Sequence, residues 1–486
     1  MKIHAALFSL ALSATSLAAV TNLPPTAVAD SVVTRVEKRP FTLTNLRAND
    51  TDPEGNPLNI IDVTQGAHGI VTRTGNNVTY DPRRTFNGTD NFTYTISDGQ
   101  GNTAVGNVSL RNPFLINKGD YAAPISGVTP TAANSGYLFV STSFNGAFTA
   151  QIRFAGETFK FKGIFALDGT FTGDLVRRSG ARFQFTMQFP MAAPGLLPIS
   201  SGPLGSEMLI GLAVGPQPIT GSIGPVGQLT AFSAPRNLFS ASNPAPRLGS
   251  YTVSLPPNAG ATLPQGNGFG ILEIGRSGRA SLVGKLGDDR SYSSGVFLNA
   301  NGTLPIYAAL YRIPGSLFGS ATFSTVGAFT KLEGPLTWFK PPTPGTVFFK
   351  NGFLTTIAMK GSSYVPPAVS QKALVVPATS PNATFKVSAG ELRPGVVRTS
   401  RFTLGTRPAA GAYAATFQLP DALKTSLRIN AGTGFFSGVF SDPASVGIRR
   451  TYSGALIQMD NAGVGVFAGK AKTGKIDLTP DAVPVP

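Results

Sequence analysis

The chain has no cysteine, two histidines and one tryptophan, and only 13% of its 486 residues are charged. Without cysteine there is neither a disulfide framework nor a thiol for lipidation, so stability has to come from packed cores. One histidine, His4, falls in the apolar N-terminal stretch, and the other, His68, in a Gly-Ala-His-Gly turn. Histidine metal clusters are thereby excluded, and a Ser-His-Asp arrangement would have to use His68, which reads as a turn residue. Beyond the N-terminus no apolar run approaches the roughly 18 residues of a membrane helix, and PDAVPVP at the end is no hydrophobic tail. No transmembrane span is expected in the mature chain. Sustained helical periodicity is missing as well.

What is plentiful is glycine (56), proline (39), threonine, serine and phenylalanine, a strand-and-turn composition. With 42% hydrophobic residues there is enough apolar material for several cores, and the chain is expected to be globular and all-β. Lys2, the apolar run from Ile3 to Leu17 and the small residues Ser16-Leu17-Ala18 have the order of a secretory signal, residues 1–18, cleaved after Ala18. The mature protein is therefore expected outside the cytoplasm, secreted or at the bacterial cell surface. Net charge is +16, unevenly spread: Pro24 to Asn112 holds 8 Lys/Arg against 9 Asp/Glu, and Pro113 onward 31 against 15. An acidic partner, a surface or extracellular polysaccharide or another polyanion, would bind in that second part. The basic residues are scattered, with local groups only at Arg177-Arg178-Arg182 and Arg449-Arg450, and scattered charge also serves solubility alone. No specific nucleic-acid site is evident.

The first region is legible strand by strand. Runs beginning at Ser31, Pro57, Gly69, Asn77, Asn91 and Asn102, and a weaker one at Phe41, are β-rich and separated by turn residues. In NFTYTIS, Phe92, Tyr94 and Ile96 alternate with Thr93 and Thr95, as in a half-buried strand. Seven such strands in about ninety residues is the count of an immunoglobulin-like sandwich. The segments AVADSVVT, LRANDTDPEGNPLNIIDVTQGAHGIVT and VTYDPRRTFNGTDNFTYTISDGQGNTAVGNVSL resemble the bacterial cadherin-like, immunoglobulin-fold repeat of secreted and surface proteins. The resemblance covers residues 24–112 and implies a β-sandwich used as a spacer or adhesion module, in some members with calcium. Two departures stand out: Asp30-Ser31 replaces a pair of acidic residues, and Glu54-Gly55-Asn56 replaces Asp-Gly-Asp. The repeat is also single.

NDTDPEGNPL, from Asn49, spaces Asp50, Asp52 and Glu54 two apart before Gly55, as the front half of a calcium loop does. With Asn56, and with Asp30 and Asp98 brought in from elsewhere, these residues form a candidate Ca2+ set. The EF-hand position twelve is Ile61, which cannot ligate, and no helices flank the loop. The other reading is a turn whose Asp and Asn side chains bond to local backbone.

From Pro113 on, a weak repeat recurs at Asn145, Ser277 and Thr433: a glycine turn, an apolar strand, a polar turn, and an aromatic strand closing at Gly163, Gly295 or Gly454. The unit is an antiparallel β-meander, similar to repeat regions of bacterial surface proteins, and three sandwich- or barrel-like domains are expected at 113–245, 246–366 and 367–486. Proline-rich FSASNPAPRLG and SSYVPPAVSQKALVVPATSPNA separate them as linkers or long loops. Gly266, Gly268 and Gly270 precede β-like residues rather than a helix and read as strand glycines. Trp338 reads as a partly buried anchor or a sugar-stacking ring, and Tyr307 and Tyr311 as core or sheet-edge aromatics or part of a binding face.

Three function classes follow. A non-enzymatic adhesion or scaffold protein leads, on the leader, the cadherin-like module and the meanders. A glycan- or polyanion-binding protein is the alternative, on the basic excess and its aromatics. A polysaccharide-active enzyme would need a carboxylate pair, with Asp288-Asp289 or Asp168 and Asp174 as candidates, though such residues are also ordinary in turns. An outer-membrane barrel would show longer, regularly alternating strands and a terminal aromatic strand, which this sequence lacks.

Overall fold

The structure, a computed structural model, describes residues 21–482 except 36–38, 85, 87, 192–216, 259, 261, 312–314, 346–347, 393–394, 409–412 and 443–446. The expected leader lies outside the described residues. The chain divides into two compact units, one ending at Ile116 and the other beginning at Asn117. Among the described residues no helix is long and apolar enough to cross a membrane.

The first unit contains all seven expected strands: β1 (Asp30–Val33), β2 (Phe41–Leu43), β3 (Asn59–Val63), β4 (Gly69–Thr74), β5 (Asn77–Pro82), β6 (Thr89–Ser97) and β7 (Thr103–Arg111). They form two sheets, β1-β7-β6-β3 and β2-β5-β4, with β1 parallel to β7 and the other pairs antiparallel. The period of two in β6 turns Phe92, Tyr94 and Ile96 inward, where they meet Val71, Val78 and Tyr80 of the other sheet in one core. A Cβ at Gly106 would overlap the Tyr94 ring, so glycine is what lets β7 lie flat against it. A short helix, α1 (Pro113–Ile116), ends the unit.

Among the described residues the second unit is built of three meanders of eight strands each. The first comprises β8 (Gly119–Ser126), β9 (Ser135–Thr142), β10 (Ala147–Phe154), β11 (Glu157–Ile164), β12 (Thr170–Val176), β13 (Arg182–Gln188), β14 (Ile219–Gly224) and β15 (Thr230–Ala234). Its sheets β11-β10-β9-β8 and β12-β13-β14-β15 are joined along one seam, where Asn237 donates its N–H to Asp120 O at 2.7 Å just beyond β15. At the other edge, rings close the gap: Phe148 lies 4.8 Å from Phe171, and Phe161 5.4 Å from Phe185. Phe148 and Phe185 are buried and Phe161 and Phe171 partly so, and at about 1.5–3 kcal/mol for each fully buried ring this seam is held by burial rather than by a ladder.

The next eight strands form one sheet, β19-β18-β17-β16-β23-β22-β21-β20. They are β16 (Gly249–Leu255), β17 (Gly268–Ile274), β18 (Arg279–Lys285), β19 (Ser291–Phe297), β20 (Leu304–Leu310), β21 (Gly315–Val326), β22 (Phe329–Lys340) and β23 (Phe353–Ser363). Its edges β19 and β20 are joined by a tight turn, and the Tyr307 N–H donates to Ser294 Oγ at 3.2 Å, drawing the sheet toward closure around one core of aliphatic and aromatic side chains. Closure is complete in the last meander: β24 (Ala383–Ala389), β25 (Val397–Leu404), β26 (Tyr413–Phe417), β27 (Ser426–Ile429), β28 (Phe435–Ser441), β29 (Arg449–Ile457), β30 (Ala462–Ala468) and β31 (Thr473–Pro480). Pairing of β24 with β31 makes it a closed barrel with no free sheet edge.

Candidate functional site

Every residue of the expected calcium set lies in the first unit, and the segment Asn22–Val28 runs alongside them. Thr26 and Thr51 exchange backbone hydrogen bonds at 2.8 and 3.0 Å. The Val28 N–H donates to Asp50 Oδ1 at 2.8 Å, and the Leu23 N–H to a Glu54 carboxylate oxygen at 3.1 Å. Asp52 caps the turn itself, its Oδ1 accepting the N–H groups of Glu54 at 3.1 Å and Asn56 at 2.9 Å. Gly55 supplies the left-handed residue this turn requires, at φ +80°. Asn22 then bridges two loops: its amide donates to Asp98 at 2.5 Å and accepts from Asn56 at 3.0 Å.

Two environments result. Asp98 is buried, which alone would raise its carboxyl. Bonds from Asn22 and from the Gln100 and Asn102 N–H groups outweigh that and hold it below its ordinary value. Asp30 is shifted the other way: burial raises it, the Tyr94 hydroxyl opposes, and the Asp50 charge pushes it up again. The Tyr94 hydroxyl lies 3.0 Å from both Asp50 oxygens and 2.9 Å from Leu46 O. Most carboxylate oxygens of the set thus accept N–H or O–H donors, as a polar turn requires. Asp30 Oδ2 and Asp52 Oδ2 are buried without a hydrogen-bond partner. Among the described residues no group of three or more His, Asp or Glu is placed to hold a metal.

A second polar centre in the same unit is Asp90, 5% exposed. It accepts the N–H groups of Ala67 and His68, each at 2.9 Å, and the Tyr80 hydroxyl at 2.6 Å. Burial, and then Asp90 itself, push the Tyr80 hydroxyl far up. His68 sits in a bend and contributes its backbone to this hub. Asp90 was not singled out in the sequence, yet it carries the same parity as Phe92, Tyr94 and Ile96 and so had to face inward. Seven strands, two sheets and a core shared between them make this unit an immunoglobulin-like sandwich. Residues 22–111 match the family model of the bacterial Ig domain.

Outside the Ig domain the expected carboxylates are committed elsewhere. Asp168 caps its own turn through Thr170, Asp174 pairs with Arg182 at 3.2 Å, and Asp289 pairs with Lys285 at 2.7 Å. Asp288 is buried, which raises its carboxyl, and it accepts the Tyr311 hydroxyl at 2.7 Å. Tyr311 in turn accepts the Trp338 N–H at 3.2 Å, and the Lys340 ammonium lies 5.2 Å from the Tyr311 ring centroid. Burial lowers that ammonium, and Asp288 partly restores it. Trp338 is 3% exposed beside a cavity of about 10 Å³, the space of one water, so it is an internal anchor and not a sugar platform. Tyr307 is fully buried, and Gly268 and Gly270 lie within β17, whereas Gly266 lies in a bend just before it and is not a strand glycine. The two basic groups are partly neutralised, Arg177 by Glu157 at 2.8 Å and Arg450 by Asp442 at 2.9 Å.

No curated protein matches the chain. Among solved structures, the isotype 1 transferrin binding protein B from serogroup B Neisseria meningitidis is similar at 9% identity, over 88% of this chain and 87% of that one, with a TM-score of 0.19. A likeness that distant carries no argument about function.

Proposed function

We propose that the chain is a secreted or cell-surface adhesion or scaffold protein of the bacterial envelope, without catalysis of its own. The observation that carries this reading is the bacterial Ig domain at residues 22–111, folded as a two-sheet sandwich ahead of β-meanders. The commitment of Asp168, Asp174 and Asp289 to caps and ion pairs supports the non-enzymatic part. Protease applied to intact cells of the native host is expected to remove the protein, or the culture medium to contain it. Recovery only from the cytoplasm of lysed cells, fully protected beforehand, would end the reading.

Calcium is a second reading of the Ig domain's acidic loop, favoured by the unpartnered Asp30 Oδ2 and Asp52 Oδ2. A weak site, with a dissociation constant of about 10⁻⁴ to 10⁻³ M, would raise the melting temperature of the Ig domain by mass action at millimolar calcium. Asp50→Asn with Asp52→Asn is expected to remove that shift while the core stays folded. No heat of binding and no shift in the wild type would leave the loop as a turn that secures Asn22–Val28.

A further inference from the structure

We propose that a pocket between the outer faces of β9–β10 and β18–β19 binds an oxyanion of carboxylate or sulfate type, as a free ion or as the acidic group of a saccharide. In β10 the inward positions are Ala150, Ile152 and Phe154, so Gln151 and Arg153 point outward. Across the ladder Gln151 pairs with Phe139 and Arg153 with Tyr137. The same parity in β18 turns Ala280 and Leu282 inward and Arg279 outward, paired with Phe297. These two outer faces line one cavity of about 120 Å³, with an arginine from each.

The cavity has a fixed frame. Phe139 and Phe297 stack at 5.2 Å with planes 8° apart, and the buried Tyr137 hydroxyl accepts the Phe297 N–H at 2.9 Å. Gly295 opens the floor: a Cβ there would come no nearer than 3.7 Å to Arg153. Among the described residues neither Arg153 nor Arg279 has a carboxylate partner, in contrast to Arg177, Arg182, Arg401 and Arg450. Two unneutralised guanidinium forks in one recess, with the Gln151 amide beside them, are complementary to the oxygens of a single oxyanion. The recess is smaller than the roughly 300–1,000 Å³ of pockets for whole small molecules, so it fits one charged group and part of what carries it. The excess of basic residues from Pro113 onward, 31 against 15 acidic, would favour the approach of a longer acidic polymer. This inference does not depend on the scaffold reading.

Calorimetric titration of the whole chain with sodium sulfate, with glucuronate and with neutral glucose tests it. At least one anion is expected to bind and glucose not to. Arg153→Gln and Arg279→Gln should each weaken binding about tenfold. Arg398→Gln, an exposed position in β25 that removes the same charge, should leave binding unchanged. Tighter binding of glucuronate than of sulfate points to an acidic saccharide, and equal or weaker binding to the oxyanion alone. Arg279 is exposed, so its variant decides even if Arg153→Gln melts early. Binding of neither anion, or wild-type binding by Arg279→Gln, overturns the proposal, as does an equal loss in Arg398→Gln.

Discussion

Asp90→Ala is expected to destabilise the Ig domain by about 3–5 kcal/mol, a large share of what holds a domain of this size together. The carboxylate is 5% exposed and is the acceptor for Ala67 N–H, His68 N–H and the Tyr80 hydroxyl. Alanine leaves all three donors facing a low-dielectric interior, and each unmatched donor costs about 1–3 kcal/mol, less than additively because they share one site. Asn keeps one acceptor oxygen and should cost about 1–2 kcal/mol. A Cβ at Gly66 would lie 2.3 Å from an Asp90 carboxylate oxygen, so glycine is what lets this turn close on the hub. Tryptophan fluorescence would miss the effect, because the only tryptophan, Trp338, lies in the second unit. Hydrogen exchange of peptides covering β4 to β6, over a denaturant series, reports it. Protection in Asp90→Ala equal to that of the wild type would show that the hub is dispensable.

Asp90 also marks how far the sequence could be read. Alternation in β6 is local information, so the strand, its inward face and Asp90's direction were all present in TDNFTYTIS. What local pattern cannot contain is the partner across a long loop. The spacing of Asp50, Asp52 and Glu54 fits both a metal loop and a turn, and the arrival of Asn22–Val28 beside them is a tertiary event. Closure of the last meander has the same character: β24 and β31 pair from opposite ends of the domain, and a meander pattern suits a sandwich or a barrel equally. Arg153 and Arg279 are far apart in sequence and meet only because two outer strand faces do. The internal repeat was visible, but its copies are not placed alike. Gly163 and Gly295 lie on the fourth strand of their meanders, and Gly454 on the sixth of its own.

The repeated glycines therefore give a graded result. Gly454→Ala is expected to destabilise the closed barrel by about 3 kcal/mol, Gly163→Ala its meander by about 1–2 kcal/mol, and Gly295→Ala to change stability by less than about 0.5 kcal/mol. The three sites have ordinary strand backbones, so the difference lies in what an added methyl would meet. At Gly454 it would overlap both the Phe436 ring, its cross-strand partner, and the carbonyl oxygen of Val464. A ladder carbonyl cannot swing aside without breaking the pairing of β29 with β30. At Gly163 the methyl would lie 2.5 Å from Phe148 and 2.8 Å from Phe171, rings that can yield at the expense of their own packing. At Gly295 the nearest atom is an Arg153 nitrogen at 3.7 Å, an ordinary contact on an exposed strand. Aromatic cover of a strand glycine explains the first two positions and is absent from the third. Urea denaturation of the three variants, resolved by hydrogen exchange over β28–β30, β10–β12 and β18–β19, gives the order. Equal losses at all three positions would mean that the glycines serve a common backbone need and that the local packing derived for each is wrong.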